Sequence, residues 1–123
     1  MKKDNMNIDL ALLMEENLAQ VWSQRDALAR MQAIENIYAV DSSLYHVGHQ
    51  TTGLEAINQS VNNVLANMPK TFSFFKLKPV VINNDIGRLI WGVGPDIDSL
   101  VATGMDVAVF EDGRIKSLYV FLD

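Results

Sequence analysis

No cysteine occurs in the 123 residues. Disulfides and thiolate metal sites are therefore excluded, and the expected compartment is the reducing cytoplasm. A basic stripe is also missing. Ten Lys and Arg against fifteen Asp and Glu leave a net charge of -5, and the cations are scattered from Lys2-Lys3 and Arg25 to Arg114 and Lys116. Nucleic acid, which is held through clustered cations, is not an expected partner. No apolar run is long enough to span a bilayer, so no membrane partner is expected. Lys2 and Lys3 precede apolar side chains, but Asp4, Asp9, Glu15 and Glu16 break any signal-peptide core. What is present is the composition of a globular protein, 49% hydrophobic and 20% charged. A single domain over 1–123 is expected, burying about two-thirds of its unfolded-chain surface.

Three helical patterns come first. Leu10, Leu13, Met14, Leu18, Val21 and Trp22 recur at helical spacing from Ile8 to Gln24. Asp26 is the expected N-cap of a second helix ending near Ala39. Gly53 opens a third, with Leu54, Ile57, Val61 and Leu65 on one face, and Pro69 stops it. The polar connection between the second and third holds a short strand at Leu44 to Val47. Four β-type runs follow, at Thr71 to Ile82, Arg88 to Gly94, Thr103 to Phe110 and Arg114 to Leu122. Helices followed by hairpin-linked strands indicate the α+β class.

The last two runs meet at Asp112-Gly113, a strong type I′ signal that sets Glu111 opposite Arg114. Counting outward without interruption, Phe110 faces Ile115, Asp106 faces Tyr119 and Gly104 faces Phe121. Asp106 is the odd residue in an apolar strand. It is a structural partner of Tyr119, a solvent-facing carboxylate on a bent sheet, or a cavity-facing acid with a raised pKa.

Other residues carry paired readings. His46 and His49 are ordinary loop histidines, or one is a general acid or base at a pocket mouth. A His-x-x-His pair lacking a third ligand is too little for a metal, so none is expected. Arg88 is an edge or ion-pair residue, or it holds an anion beside Trp91. Trp22, Tyr38, Phe75 and Trp91 are core aromatics that become pocket walls if the sheet curves away from the helices. Gly92-Val93-Gly94 precedes no helix, so no nucleotide site is expected. No G-x-S-x-G elbow or Cys–His arrangement exists for covalent catalysis.

Tyr38-Ala39-Val40-Asp41, Gly53-Leu54-Glu55-Ala56-Ile57, and Asp106-Val107 leading to Phe110 and Asp112-Gly113-Arg114-Ile115 together resemble the SnoaL-like branch of the nuclear transport factor 2-like superfamily. The resemblance covers almost the whole chain. It implies an α+β cone in which three N-terminal helices pack in the concave face of a strongly curved, mostly antiparallel sheet of four to six strands. It further implies an apolar pocket for a small hydrophobic molecule, no cofactor, and a homodimer through the sheet. Compared with ketosteroid isomerase in that superfamily, His46 falls where a catalytic carboxylate stands. Asp106 matches a protonated oxyanion-hole aspartate if one turn residue is deleted, and Trp22 falls on an oxyanion tyrosine. Steroid isomerisation is therefore not implied. The last-strand aspartate of limonene epoxide hydrolase falls near Val120, which counts against that chemistry. What is implied is a lyase, isomerase or cyclase with His46, Asp106 and Tyr119 as acid–base residues and Trp22, Tyr38, Phe75, Arg88, Trp91, Phe110 and Phe121 around the pocket. The alternative is a non-catalytic ligand-binding or dimeric interaction module.

Overall fold

A computed structural model describes residues 9–123. Lys2, Lys3, Asp4 and the expected helix start at Ile8 lie outside the described residues. Helix α1 (Leu10–Asn17) starts at Asp9, whose carboxylate accepts from the Leu12 amide at 3.0 Å. It continues as one wide π-helical turn over Leu18–Trp22. Helix α2 (Ala27–Ile37) is capped as expected, with Asp26 accepting from the Leu28 amide at 3.1 Å, an arrangement that stabilises by about 1 kcal/mol. Its chain then turns directly into strand β1 (Tyr38–His46), which is longer than the short strand expected from the sequence. Strand β2 (His49–Thr52) folds back on β1 across Val47-Gly48, where Gly48 has a φ of +77°. Helix α3 (Leu54–Ala66) buries Ile57, Val61 and Leu65 on one side, each worth about 1.5–3 kcal/mol.

The run Thr71 to Ile82 is two strands, β3 (Ser73–Lys76) and β4 (Val81–Asn83), because Pro79 interrupts the ladder between them. Strands β5 (Ile86–Gly94), β6 (Ala102–Glu111) and β7 (Arg114–Leu122) follow. Among the described residues the sheet therefore has seven strands, one more than the four to six expected, in the order β2-β1-β7-β6-β5-β3, with β4 also on β5. Only the β1–β7 pairing is parallel among the described residues. The architecture is the expected one, three helices on a curved, mostly antiparallel sheet. Among the described residues no helix is long and apolar enough to cross a membrane.

Strand β6 shows why one side of this sheet is the inside. Gly104, Asp106, Ala108 and Phe110 are buried, alternating with half-buried Met105, Val107 and Val109. Two arginines bind the helices together. Arg30 is wholly buried, has no carboxylate partner among the described residues, and donates to Asn58 Oδ1, Gln24 O and Asn62 Oδ1 at 2.5, 2.6 and 2.8 Å. Arg25 donates to the carbonyl of Leu65 in the last turn of α3 at 2.9 Å and to that of Pro69 just beyond the helix at 2.8 Å, each of which also accepts from a backbone amide.

The type I′ turn forms as expected, with φ of +53° at Asp112 and +77° at Gly113. Glu111 pairs with Arg114 and Phe110 with Ile115. The register then slips by one residue, so Val109 meets Ser117 and Lys116 is the extra residue of a β-bulge. Beyond it every expected pairing is displaced. Asp106 faces Val120, Gly104 faces Leu122, and Tyr119 lies opposite Val107.

Candidate functional site

A cavity of about 210 Å³ lies between the inner face of the sheet and the helices. The π turn contributes Leu18 and Trp22, the end of α3 contributes Val64 and Met68, and β3 contributes Phe74. From the sheet come Trp91 and Asp106, joined by Val120 and Leu122 of β7. His46 and Val47 stand at the β1–β2 turn. An engineered cavity of about 150 Å³ lined by apolar side chains holds benzene, so this one has room for a small one- or two-ring molecule.

Asp106 is the polar centre. It is 3% exposed, and Trp91 Nε1 donates to its Oδ1 at 2.9 Å. The geometry follows from the pairing of β5 and β6. Trp91 is directly opposite Gly104, and the missing side chain lets the indole cross to the neighbouring inward position, Asp106. Burial raises the Asp106 pKa from 3.8 to about 7, with the Trp91 hydrogen bond opposing the rise. Among the described residues only Oδ1 has a hydrogen-bond partner, which leaves Oδ2 for a ligand.

Around this carboxyl lies a buried polar group. Tyr38 donates to Asn17 Oδ1 at 2.6 Å, and burial, then the negative charge of Asp106, push its phenol well above its ordinary value. The Trp22 indole N–H is buried with no hydrogen-bond partner among the described residues, yet it is close enough to Tyr38 to favour the phenolate slightly. His46 Nε2 is 3.2 Å from Ser60 Oγ, and its ring stacks on His49 with centroids 5.0 Å apart. Partial burial first, and the neighbouring His49 second, lower the His46 pKa, so it is neutral near pH 7.

Of the residues singled out from the sequence, His46, Asp106, Trp22 and Trp91 line one cavity. The others stand elsewhere. Tyr119 does not partner Asp106: it is 37% exposed on the outer face and stacks on Tyr45 at 4.5 Å. Phe121 is likewise outside and 49% exposed. The Lys116 bulge displaces both, and Val120 and Leu122 take the inner positions. Phe75 is one residue out of phase with Phe74, whose ring meets Trp91 edge-on at 5.2 Å. Arg88 is exposed and pairs with Val107 and Val81 on the outer side. Tyr38 and Phe110 are buried core residues outside the cavity wall. The Trp91–Asp106 bond was missed because it follows from the β5–β6 register, which sets Trp91 against Gly104 and which no local sequence signal fixes. No group of three metal-ligating side chains occurs among the described residues.

No protein-family model and no curated protein matches the sequence. Solved structures do. A proposed isomerase of the SnoaL-like family from Agrobacterium tumefaciens is 23% identical, with a TM-score of 0.82 over 91% of this chain and 95% of that one. A proposed polyketide cyclase from Sinorhizobium meliloti is 19% identical, with a TM-score of 0.69 over 88% and 92%. A de novo designed protein with a curved β-sheet reaches a TM-score of 0.66 at 15% identity, over 91% of this chain and 83% of its own. The last case shows that this architecture forms without any natural activity to serve. The chain therefore has the α+β cone fold of the SnoaL-like and nuclear transport factor 2-like proteins.

Proposed function

We propose that this protein is a cofactor-independent lyase, isomerase or cyclase acting on a small, largely apolar molecule in the cavity. The observation that carries it is a lone buried carboxyl, half-protonated near neutrality, sharing an apolar cavity with a neutral histidine. Protonated Asp106 donates from Oδ2 to a substrate carbonyl oxygen while Trp91 holds Oδ1. His46 takes a proton from the adjacent carbon, and the C–H electron pair moves into the enol. Where the substrate carries a β,γ double bond the enol is a conjugated dienol, and return of that proton to the γ-carbon isomerises the substrate. Its delivery to a departing β-hydroxyl completes a dehydration. Among proteins of similar structure are a proposed isomerase and a proposed polyketide cyclase, which supports this class of chemistry.

The test is incubation with enolisable ketones and β-hydroxy carbonyl compounds in deuterium oxide. Deuterium incorporation or dehydration is expected, with a bell-shaped pH profile. Asp106→Asn and His46→Gln should each slow it by about a hundred- to ten-thousand-fold. Recovery of every compound unchanged would sink the reading and leave a non-catalytic ligand-binding module. Two observations favour that second reading: Tyr119 lies outside the cavity, and His46 Nε2 is already engaged by Ser60.

A homodimer through the outer sheet face, in the cytoplasm, belongs to the same proposal. The support is the exposed Phe121 beside the Tyr45–Tyr119 stack and the half-buried Met105 and Val107. Sedimentation should give a dimer, and Phe121→Glu, which would bury a charge at the contact, should give a monomer. A monomeric parent chain at micromolar concentration would exclude the pairing.

A further inference from the structure

The cavity does not end at His46. That side chain is also one wall of a groove of about 480 Å³ between β2 and α3, and Val64 borders both spaces. Their chemistry is opposite. The cavity is almost wholly apolar, whereas the groove carries the carboxamides of Gln50, Gln59, Asn63 and Asn67 and the hydroxyls of Thr51 and Ser60. Among the described residues no Asp, Glu, Lys or Arg lines it, the titratable side chains there being His46 and His49, in a chain whose residues are 20% charged. Gln59 Nε2 donates to Asn63 Oδ1 and Asn67 Nδ2 to the Asn63 carbonyl, both at 3.0 Å. Among the described residues this leaves the Gln59 carbonyl and the whole Gln50 amide for a ligand.

Carboxamides and hydroxyls each donate and accept, so they match a ligand surface of hydroxyl groups, which does the same. They offer no counter-charge to a carboxylate or phosphate. We propose that the molecule held in the cavity carries an uncharged, polyhydroxylated arm of the glycosyl kind, which passes His46 and lies in this groove. The inference rests on reading the cavity as a ligand site and does not require turnover. It places His46 at the junction of the apolar body and the polar arm.

Calorimetry on the full chain with naphthol, naphthyl β-glucoside and naphthyl sulfate tests this. The glucoside should bind about tenfold more tightly than naphthol, the yield of one or two net hydrogen bonds, and the sulfate should gain nothing. In the double variant Gln59→Ala, Asn63→Ala the glucoside should lose its advantage while naphthol binds as before. Both positions are exposed on α3, where alanine suits the helix. Gln50→Ala, on β2, should remove part of the same advantage and serves if the double variant does not fold. Equal affinity for glucoside and naphthol, a sulfate as tight as the glucoside, or an advantage that survives the substitutions would each overturn the proposal. Failure of naphthol itself to bind would instead overturn the cavity as a ligand site, and the arm with it.

Discussion

Asp106→Asn is expected to stabilise the protein by about 4 kcal/mol near pH 8 and by almost nothing near pH 4. The sign follows from the direction of the shift. Unfolded, the carboxyl titrates at 3.8; folded, burial holds it protonated up to about 7. Between those values the folded chain keeps a proton that the unfolded chain has released, so stability falls as pH rises through that window. Above it both states are ionised, and the folded state retains the full penalty of a desolvated charge. Asparagine has the shape of the neutral acid and no proton to lose, and its carbonyl still accepts from Trp91 Nε1. The parent–variant difference also separates Asp106 from His46. The lowered His46 pKa works in the opposite sense, its stabilisation being lost as pH falls. Urea unfolding of both proteins across this range is the measurement, and a difference that does not change with pH would refute the assignment. A group that weakens the fold at neutral pH is what a stability–activity trade-off leaves behind, so the same substitution should raise stability and remove turnover.

Gly104→Ala is expected to cost about 3 kcal/mol and to lower Tm by roughly 10 °C. A methyl group there would run into the Trp91 ring and the Phe121 carbonyl oxygen. The ring has little freedom, since Phe74 packs edge-on against it and Asp106 holds its N–H, and the carbonyl belongs to the central ladder. Any rotation of the indole that relieved the clash would strip Asp106 of its donor. The loss of stability should therefore come with a still higher Asp106 pKa, readable from its carboxyl carbon resonance. A Tm within a few degrees of the parent would mean that the β5–β6 approach is looser than these contacts require.

The helices and the order of the strands were legible because their signals are local. Asp26 caps, Pro69 stops and Asp112-Gly113 turns through interactions within a few residues of each, and tertiary packing had only to agree with them. A buried, cavity-facing Asp106 was one of three readings the strand left open, and His46 was linked to it through the family resemblance; both line the cavity. The partner of Asp106 was not legible. Its identification depended on counting six pairs outward from a turn, and a single inserted residue after Ile115 shifts every later pair. No residue type announces the bulge. Its trace lies on another strand, where β1 skips between Tyr38 and Ser43 against the same stretch of β7 and Asp41 there pairs with Lys116. The failure at Phe75 against Phe74 is of the same kind, because two adjacent phenylalanines carry no information about phase.

Strand β7 is apolar on both faces from Leu118 to Leu122, so the hydrophobic pattern would accept either phase, and Lys116 alone chooses. With that residue in place, Val120 and Leu122 border an open space; one position earlier or later, Tyr119 and Phe121 would point inward and their rings would occupy it. The emptiness of the site is thus set by a reading frame within the strand and is separable from the fold around it. A change in chain length at the bulge, more than any substitution along the wall, is the step by which such a sheet would pass between a receptacle and a solid core.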